Sequence, residues 1–329
     1  MNKTNENKGL SEYVVQMNNV TKIYNNLTAI KDISFSVKKG EIVGFLGPNG
    51  AGKTTTMNIL TGCLSSTCGE VKIAGNDILH NPEAAKKCIG YLPERPPLYD
   101  NMTVKEYLKF VCGLKKIKNY KDQIQNVCDL CQITNYSNKL IGQLSKGYRQ
   151  RVGIAQSLLG EPDVLILDEP TSGLDPSQIV QTRNLIKSFA KDRTVILSTH
   201  ILSEIQAICD RIIIINKSKI IADDTEENLI KSTTKNLNYT LRVSCESEKE
   251  VLNSLKDLSD KLSITKITTT CKDIIELEIT PLIDDDIALD ISNALMKNEI
   301  PILYFKDNAT TLEQVFLNLI ENSESIAVN

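Results

Sequence analysis

Three short stretches carry residue types that can act on a phosphate ester. GPNGAGKTTT at residues 47–56 satisfies the spacing GxxxxGK[ST] between an apolar run and a helical pattern. Gly47, Gly50 and Gly52 let the backbone curl with its N–H groups toward phosphate oxygens, and Pro48, Asn49 and Ala51 fill the same loop. Lys53 reaches the β and γ phosphates, the Thr54 hydroxyl can ligate Mg²⁺, and Thr55 can add a phosphate contact. VLILDEP at 164–170 ends in two carboxylates: Asp168 is expected to hold the metal, and Glu169 to orient an attacking water. TVILSTH at 194–200 ends in His200, placed to bond the γ-phosphate, the water or the carboxylate.

These residues need a scaffold that brings three strand ends to one edge. EIVGFLG (41–47), VLILDEP and TVILSTH are continuously apolar, as strands covered on both faces are, and each stops abruptly at polar residues. In open α/β sheets ligands bind beyond the carboxyl ends of the strands. Residues 103 to about 159 read instead as helices, opened by a capping box at Thr103 and Glu106. A further stretch, LSKGYRQR at 144–151, puts a Ser, a Gly and basic residues at the head of a helix, a second anion-binding terminus about ninety residues after the first.

The ordered set GPNGAGKTT, YLPE, LSKGYRQR, LILDEP, SGLD and STH resembles the ATP-binding cassette ATPases of ABC transporters over residues 13 to about 230. Within that family the chain looks like the export branch that serves ABC-2-type permeases, gliding-motility and multidrug cassettes among them, and its C-terminal extension ending in TLEQVFLNLI is similar too. The resemblance implies that Tyr24, in VTKIYNN, stacks on adenine, and that Glu94, in YLPE, contacts Mg²⁺ where most cassettes have Gln. It implies that LSKGYRQR is the signature loop: Leu144, Ser145 and Gly147 are kept, Lys146 replaces a Gly and Tyr148 a Gln. Ser145 and Gly147 then cap ATP bound to the opposite subunit, and Asp175, in SGLD, runs along that subunit. The second anion-binding helix start becomes a half-site for a partner, a second cassette that is a copy of this chain or another cassette chain.

The fold class implied is α/β, a P-loop NTPase of ABC type with a helical subdomain at about 95–160, followed by a small α+β domain. Boundaries are expected at 1–12 for a disordered tail, 13–230 for the nucleotide-binding domain, 231–238 for a polar linker and 239–329 for a C-terminal accessory domain. That last domain has the order βαββαβ of a ferredoxin-like fold, with a hairpin at Lys272 and Asp273, a helix opened by Asp284 to Asp286, and a last helix capped by Thr310 and Glu313. A permease-independent ABC ATPase, acting as a regulatory or assembly factor, is the alternative function.

Composition agrees with a globular chain. Of 329 residues 41% are hydrophobic and 24% charged, and a net charge of −3 carries no nucleic-acid footprint. No run approaches the ~18–20 apolar residues that cross a bilayer, so a membrane role needs another chain to span. The polar N-terminus lacks the apolar centre of a secretory signal, which predicts a cytoplasmic protein, peripheral at the cytoplasmic face of the membrane. Nine scattered cysteines suit a reducing compartment, and the pair Cys128 and Cys131 fits helical spacing as well as metal.

Overall fold

The computed structural model describes residues 12–190, 192–233, 238–271, 273–283, 287–308 and 311–325. They divide into two units, Met1–Glu226 with Leu319–Asn329, and Glu227–Asn318. The expected tail lies, through residue 11, outside the described residues.

The first unit begins with β1 (Tyr13–Tyr24) and β2 (Leu27–Lys38), a long antiparallel hairpin. Alternation of Val15 and Met17 against Val37 and Phe35 buries one face of it. Then follow β3 (Ile42–Leu46), α1 (Lys53–Leu60), β4 (Cys68–Ile73), β5 (Asn76–Asp77), α2 (Pro82–Lys87) and β6 (Ile89–Leu92). The helical stretch holds α3 (Val104–Leu114), α4 (Tyr120–Leu130) and α5 (Lys146–Leu158). It leads to β7 (Val164–Asp168), α6 (Pro176–Phe189), β8 (Thr194–Thr199), α7 (Leu202–Ile208), β9 (Arg211–Asn216) and β10 (Lys219–Asp224); α8 (Glu226–Thr233) starts on Glu226, and its remaining residues belong to the second unit.

Two sheets enclose the core of the first unit. One is antiparallel, in the order β2-β1-β4-β5; the other runs β10-β9-β3-β8-β7-β6, parallel except for β10. Helix α1 touches β2 and β4 on one side and β7 and β8 on the other, and its Met57, Ile59 and Leu60 share one apolar core with Val15, Phe35, Phe45 and Ile166. Every residue of β3, β7 and β8 is buried. The three are neighbours, with Leu46 paired to Thr199 and Asp168 to Ser198, so their carboxyl ends emerge side by side.

In the helical stretch, α3 starts with the expected capping box: Thr103 and Glu106 each accept from the other's backbone N–H. Cys128 and Cys131 are buried among apolar residues, and burial pushes the Cys128 thiol up to about 11. Among the described residues, no helix is long and apolar enough to cross a membrane.

The second unit contains β11 (Asn238–Ser244), α9 (Glu248–Ser254), β12 (Leu262–Cys271), β13 (Ile274–Pro281), α10 (Ala288–Lys297), β14 (Ile302–Asn308) and the start of α11 (Leu312–Ser325). Its sheet is antiparallel in the order β12-β13-β11-β14, the ferredoxin-like arrangement, over a core of Leu241, Val243, Leu277, Val251 and Ile291. Several local expectations shift. Residues 231–233 continue α8, whose Leu229 is buried, and 234–237 lie outside the described residues, as do Lys272, Asp284 to Asp286 and Thr310. The cap of α11 falls one residue later than expected: Thr311 and Gln314 bond reciprocally. The second unit ends at Asn318, and the end of α11 belongs to the first unit, where Asn216 Nδ2 donates to Ser323 Oγ at 2.7 Å.

Candidate active site

The chain leaves β3 into the Gly-rich loop. At Gly47 a Cβ would lie 2.2 Å from the carbonyl oxygen of Ile215, so a side chain has no room. Gly52, at φ 115°, is the N-cap of α1 and has no side chain to close the helix start, which leaves first-turn N–H groups open to a ligand. The rest of the loop is tied to its surroundings. Lys53 Nζ curls back to donate to the carbonyls of Gly47 (2.7 Å) and Pro48 (3.2 Å), and the Ala51 carbonyl accepts from Ser218 N–H at 3.1 Å. Burial lowers the Lys53 pKa, with the nearby Glu169 and Asp168 charges opposing the fall.

At the end of β7 two consecutive carboxylates meet different partners. Asp168 is 1% exposed; burial raises its pKa, against hydrogen bonds from Ser198 and Thr54. Glu169 takes φ 49°, so the chain turns out of the strand directly after Asp168. Its two carboxylate oxygens each lie 3.0 Å from His200 Nδ1, and one lies 4.0 Å from Lys53 Nζ. A carboxylate accepts, so Nδ1 carries the proton in that contact.

These groups face one cleft of about 550 Å³, within the range of small-molecule sites. Tyr24, Asn49, Gly50, Gly52, Lys53, Thr54, Thr55, Glu94, Glu169 and His200 line it, so the structure brings together most of the residues singled out in the sequence. Tyr24 is half-exposed at the end of β1, with Lys22 Nζ 5.2 Å from its ring centre. Glu94 adds a negative charge that raises the Asp168 pKa further. Hydroxyl and carboxylate oxygens from Thr54, Asp168 and Glu94 form the hard donor set that suits Mg²⁺. Thr28 and Ala29, at the start of β2, and Ser172 and Ser218, in turns, also line the cleft; sequence reasoning named none of them as a site residue, although Ser172 opens the SGLD stretch.

Ser145, Gly147 and Asp175 lie elsewhere, on a second surface. Ser145 caps α5 by accepting from Tyr148 N–H at 3.4 Å. Asp175 caps α6, accepting from Gln178 N–H (2.9 Å) and Ser177 Oγ (2.7 Å), bonds that hold its carboxyl below the usual range. The two helix starts pack on each other: a Cβ at Gly147 would lie 2.5 Å from Gln178 Oε1. Likewise the Lys146 ammonium sits over Gly173, 2.0 Å from where a Cβ would be.

Known proteins share this design. The family profile described as ABC transporter matches residues 30–172, and one for an AAA domain matches residues 140–205. An uncharacterized ABC transporter ATP-binding protein of Bacillus subtilis, YcbN, is 36% identical over 322 residues, 96% of this chain and 99% of that one. The bacitracin transport ATP-binding protein BcrA of Bacillus licheniformis is 38% identical over 233 residues, 69% of this chain and 75% of that one. Among solved structures, the post-hydrolysis dimer of the ATP-binding cassette MJ0796 bound to ADP and Pi superposes with a TM-score of 0.60 at 25% identity, over 64% of this chain and 98% of that one. With its P-loop cleft, carboxylate pair and near full-length likeness to YcbN, the chain belongs to the ATP-binding subunits of ABC transporters, which are ATPases.

Proposed function

We propose that this chain hydrolyses ATP as one of two cassettes facing head to tail around two nucleotides, and that it drives export through an ABC-2-type permease from the cytoplasmic face of the membrane. The observation that carries the chemistry is the position of Glu169. Its carboxylate stands between Lys53, which faces the phosphates, and His200, at the wall of the same cleft.

In this reading the open N–H groups of the 47–52 loop and Lys53 bind the phosphates, and Tyr24 stacks on adenine. Thr54, Asp168 and Glu94 would hold Mg²⁺, which would supply positive charge to neutralise the phosphates. Glu169 orients a water in line with the γ-phosphate, and His200 keeps the carboxylate aimed. Ser145 and Gly147 of one subunit close over the γ-phosphate held by the other, with Asp175 along the seam. Loss of the γ-phosphate removes contacts made in the closed pair, so the pair reopens.

The likeness to a bacitracin transport protein supports a membrane permease as partner. A surface for it lies between Glu94 and Leu108, where Tyr99 is exposed and packs edge-on against Phe110 at 5.6 Å between ring centres. The test is co-purification of the tagged chain from its native membranes. A polytopic permease is expected with it, and its presence should change the ATPase rate. Recovery without any such chain, and a rate indifferent to membranes, would remove the export reading.

A further inference from the structure

Near the cleft the first unit buries a carboxylate that this reading leaves without a task. Glu204, in the first turn of α7, is 1% exposed, and both of its oxygens accept hydrogen bonds. Thr171 Oγ1 donates to one oxygen, and Thr199 Oγ1 donates to the other at 2.8 Å. Burying a carboxylate is unfavourable even when bonded, and on α7 the neighbouring Ile205 and Ile208 are buried without any polar group.

The two donors flank the residues that face the γ-phosphate. Thr171 follows Glu169 by two positions, Thr199 immediately precedes His200, and both threonines are buried. Thr199 Oγ1 also accepts from Ile201 N–H at 3.1 Å, so the backbone is fixed on both sides of His200. From α5, Gln150 Nε2 donates to the Pro170 carbonyl at 2.9 Å, holding the Glu169 turn from its other side. Glu169 needs that support: a non-glycine residue keeps a left-handed φ when its surroundings over-determine it.

We infer that Glu204 is a positioning residue for ATP hydrolysis, tying the turn after β7 to the turn after β8 so that Glu169 and His200 stay within hydrogen-bonding distance. The inference rests on the roles given above to Glu169 and His200. It separates hydrolysis from binding, because the Gly-rich loop and Lys53 make no bond to Glu204 or to either threonine among the described residues.

Steady-state hydrolysis by the full-length chain tests it, with Mg²⁺ and ATP varied, on Glu204→Ala, Glu204→Gln, Thr171→Val and Thr199→Val. Glu204→Ala should lose roughly tenfold or more in kcat with KM for ATP within about twofold. Glu204→Gln keeps one acceptor and offers an N–H to the other hydroxyl, so it should recover most of the rate. Each valine variant should lose a few-fold, and neither should add fully to the Glu204→Ala loss, since they break the same link. A folded Glu204→Ala chain with wild-type kcat, a fall in kcat matched by loss of ATP binding, or a Gln variant no better than Ala would overturn the inference. Should Glu204→Ala not fold, the valine variants decide: wild-type kcat in both overturns it. Glu169→Gln is the control that keeps the two levels apart. Unchanged turnover there removes the site reading itself, whereas collapse there with unaffected Glu204 variants removes the positioning role alone.

Discussion

Two helices of the first unit, α1 and α5, begin with residues suited to an anion, yet their starts are built differently. The start of α1 has no side-chain cap, faces a cleft of about 550 Å³ and has a buried lysine and two carboxylates across from it. The start of α5 closes its own first turn with Ser145, and Ser145 and Lys146 are exposed, with the Asp175 turn packed alongside. In the proposed function, a ligand at α1 meets open N–H groups and Lys53 for its phosphates and Glu169 for its water. A ligand at α5 would meet a few donors on an open surface, too little to select a nucleotide unaided. The contrast supports the proposal that the two starts are complementary parts of one site rather than two sites, contributed in the proposed dimer by different copies.

Complementation breaks the comparison if it is wrong, and has the largest expected effect. Lys53→Met should abolish hydrolysis by removing the cation of the cleft; Ser145→Arg should abolish it by blocking the α5 surface while single chains still bind ATP. Mixed in equal amounts with subunits exchanging, half the dimers carry both lesions in one composite site and none in the other. Activity should return to roughly a quarter of the wild type. If the exchanged mixture stays dead, or if Ser145→Arg alone hydrolyses normally, the α5 start is no part of a shared site.

Much of the α1 site was readable because each of its parts is a short contiguous pattern at the end of an apolar strand: GPNGAGKT after β3, DE at the end of β7, and H after β8. Parallel pairing of β3, β8 and β7 then had to bring the three together. What stayed hidden belongs to tertiary contact. Thr28 and Ala29 reach the cleft from the start of β2 and Ser218 from the turn before β10, and Ser218 holds the loop through the Ala51 carbonyl, a bond that no local pattern announces. Glu204 sits in LSEIQAI, where an acid at a helix start reads as a solvated dipole partner. In the second unit alternation revealed the strands, but ATTLEQ offers two adjacent threonines with an acidic and an amide residue at matching spacing, and only packing of Leu312 and Val315 selects Thr311. The polar 231–233 read as linker because the segment's one strong anchor, Leu229, lies upstream.

The acids of the two surfaces should also respond to pH with opposite signs, a smaller effect that sharpens the contrast. Burial raises the Asp168 pKa above its unfolded value, so the folded state binds more protons and loses stability as pH rises from the ordinary carboxylate value through the raised one. Asp168→Asn should therefore raise the melting temperature of the nucleotide-free chain by a few degrees at pH 7, with the gain vanishing in acid, while hydrolysis is lost. Asp175 has the reverse linkage, because the Gln178 N–H and Ser177 bonds lower its pKa. Its contribution is present above the unfolded value and disappears as pH falls through the folded one, so Asp175→Asn should lower the melting temperature at neutral pH. Thermal melts of both variants across pH 3–8 check the signs, and like-signed shifts would show that the two surfaces do not differ in this way.

The smallest effect is expected at Gly173, where the α5 surface meets its neighbour. An alanine there is strained by the φ of 68° and places its Cβ where the Lys146 ammonium now sits. The contacting atom is the free end of a flexible side chain, so Lys146 can swing aside, and the strain itself amounts to about 1 kcal/mol. Hydrolysis by Gly173→Ala should fall by no more than about threefold, with ATP binding to single chains unchanged, since the α1 cleft is untouched. A loss confined to ATP-dependent dimerisation would mean that the seat on Gly173 sets the direction of Lys146 across the seam. A loss of nucleotide binding by the single chain would instead tie Gly173 to the α1 cleft, and the division between the two helix starts would have to be redrawn.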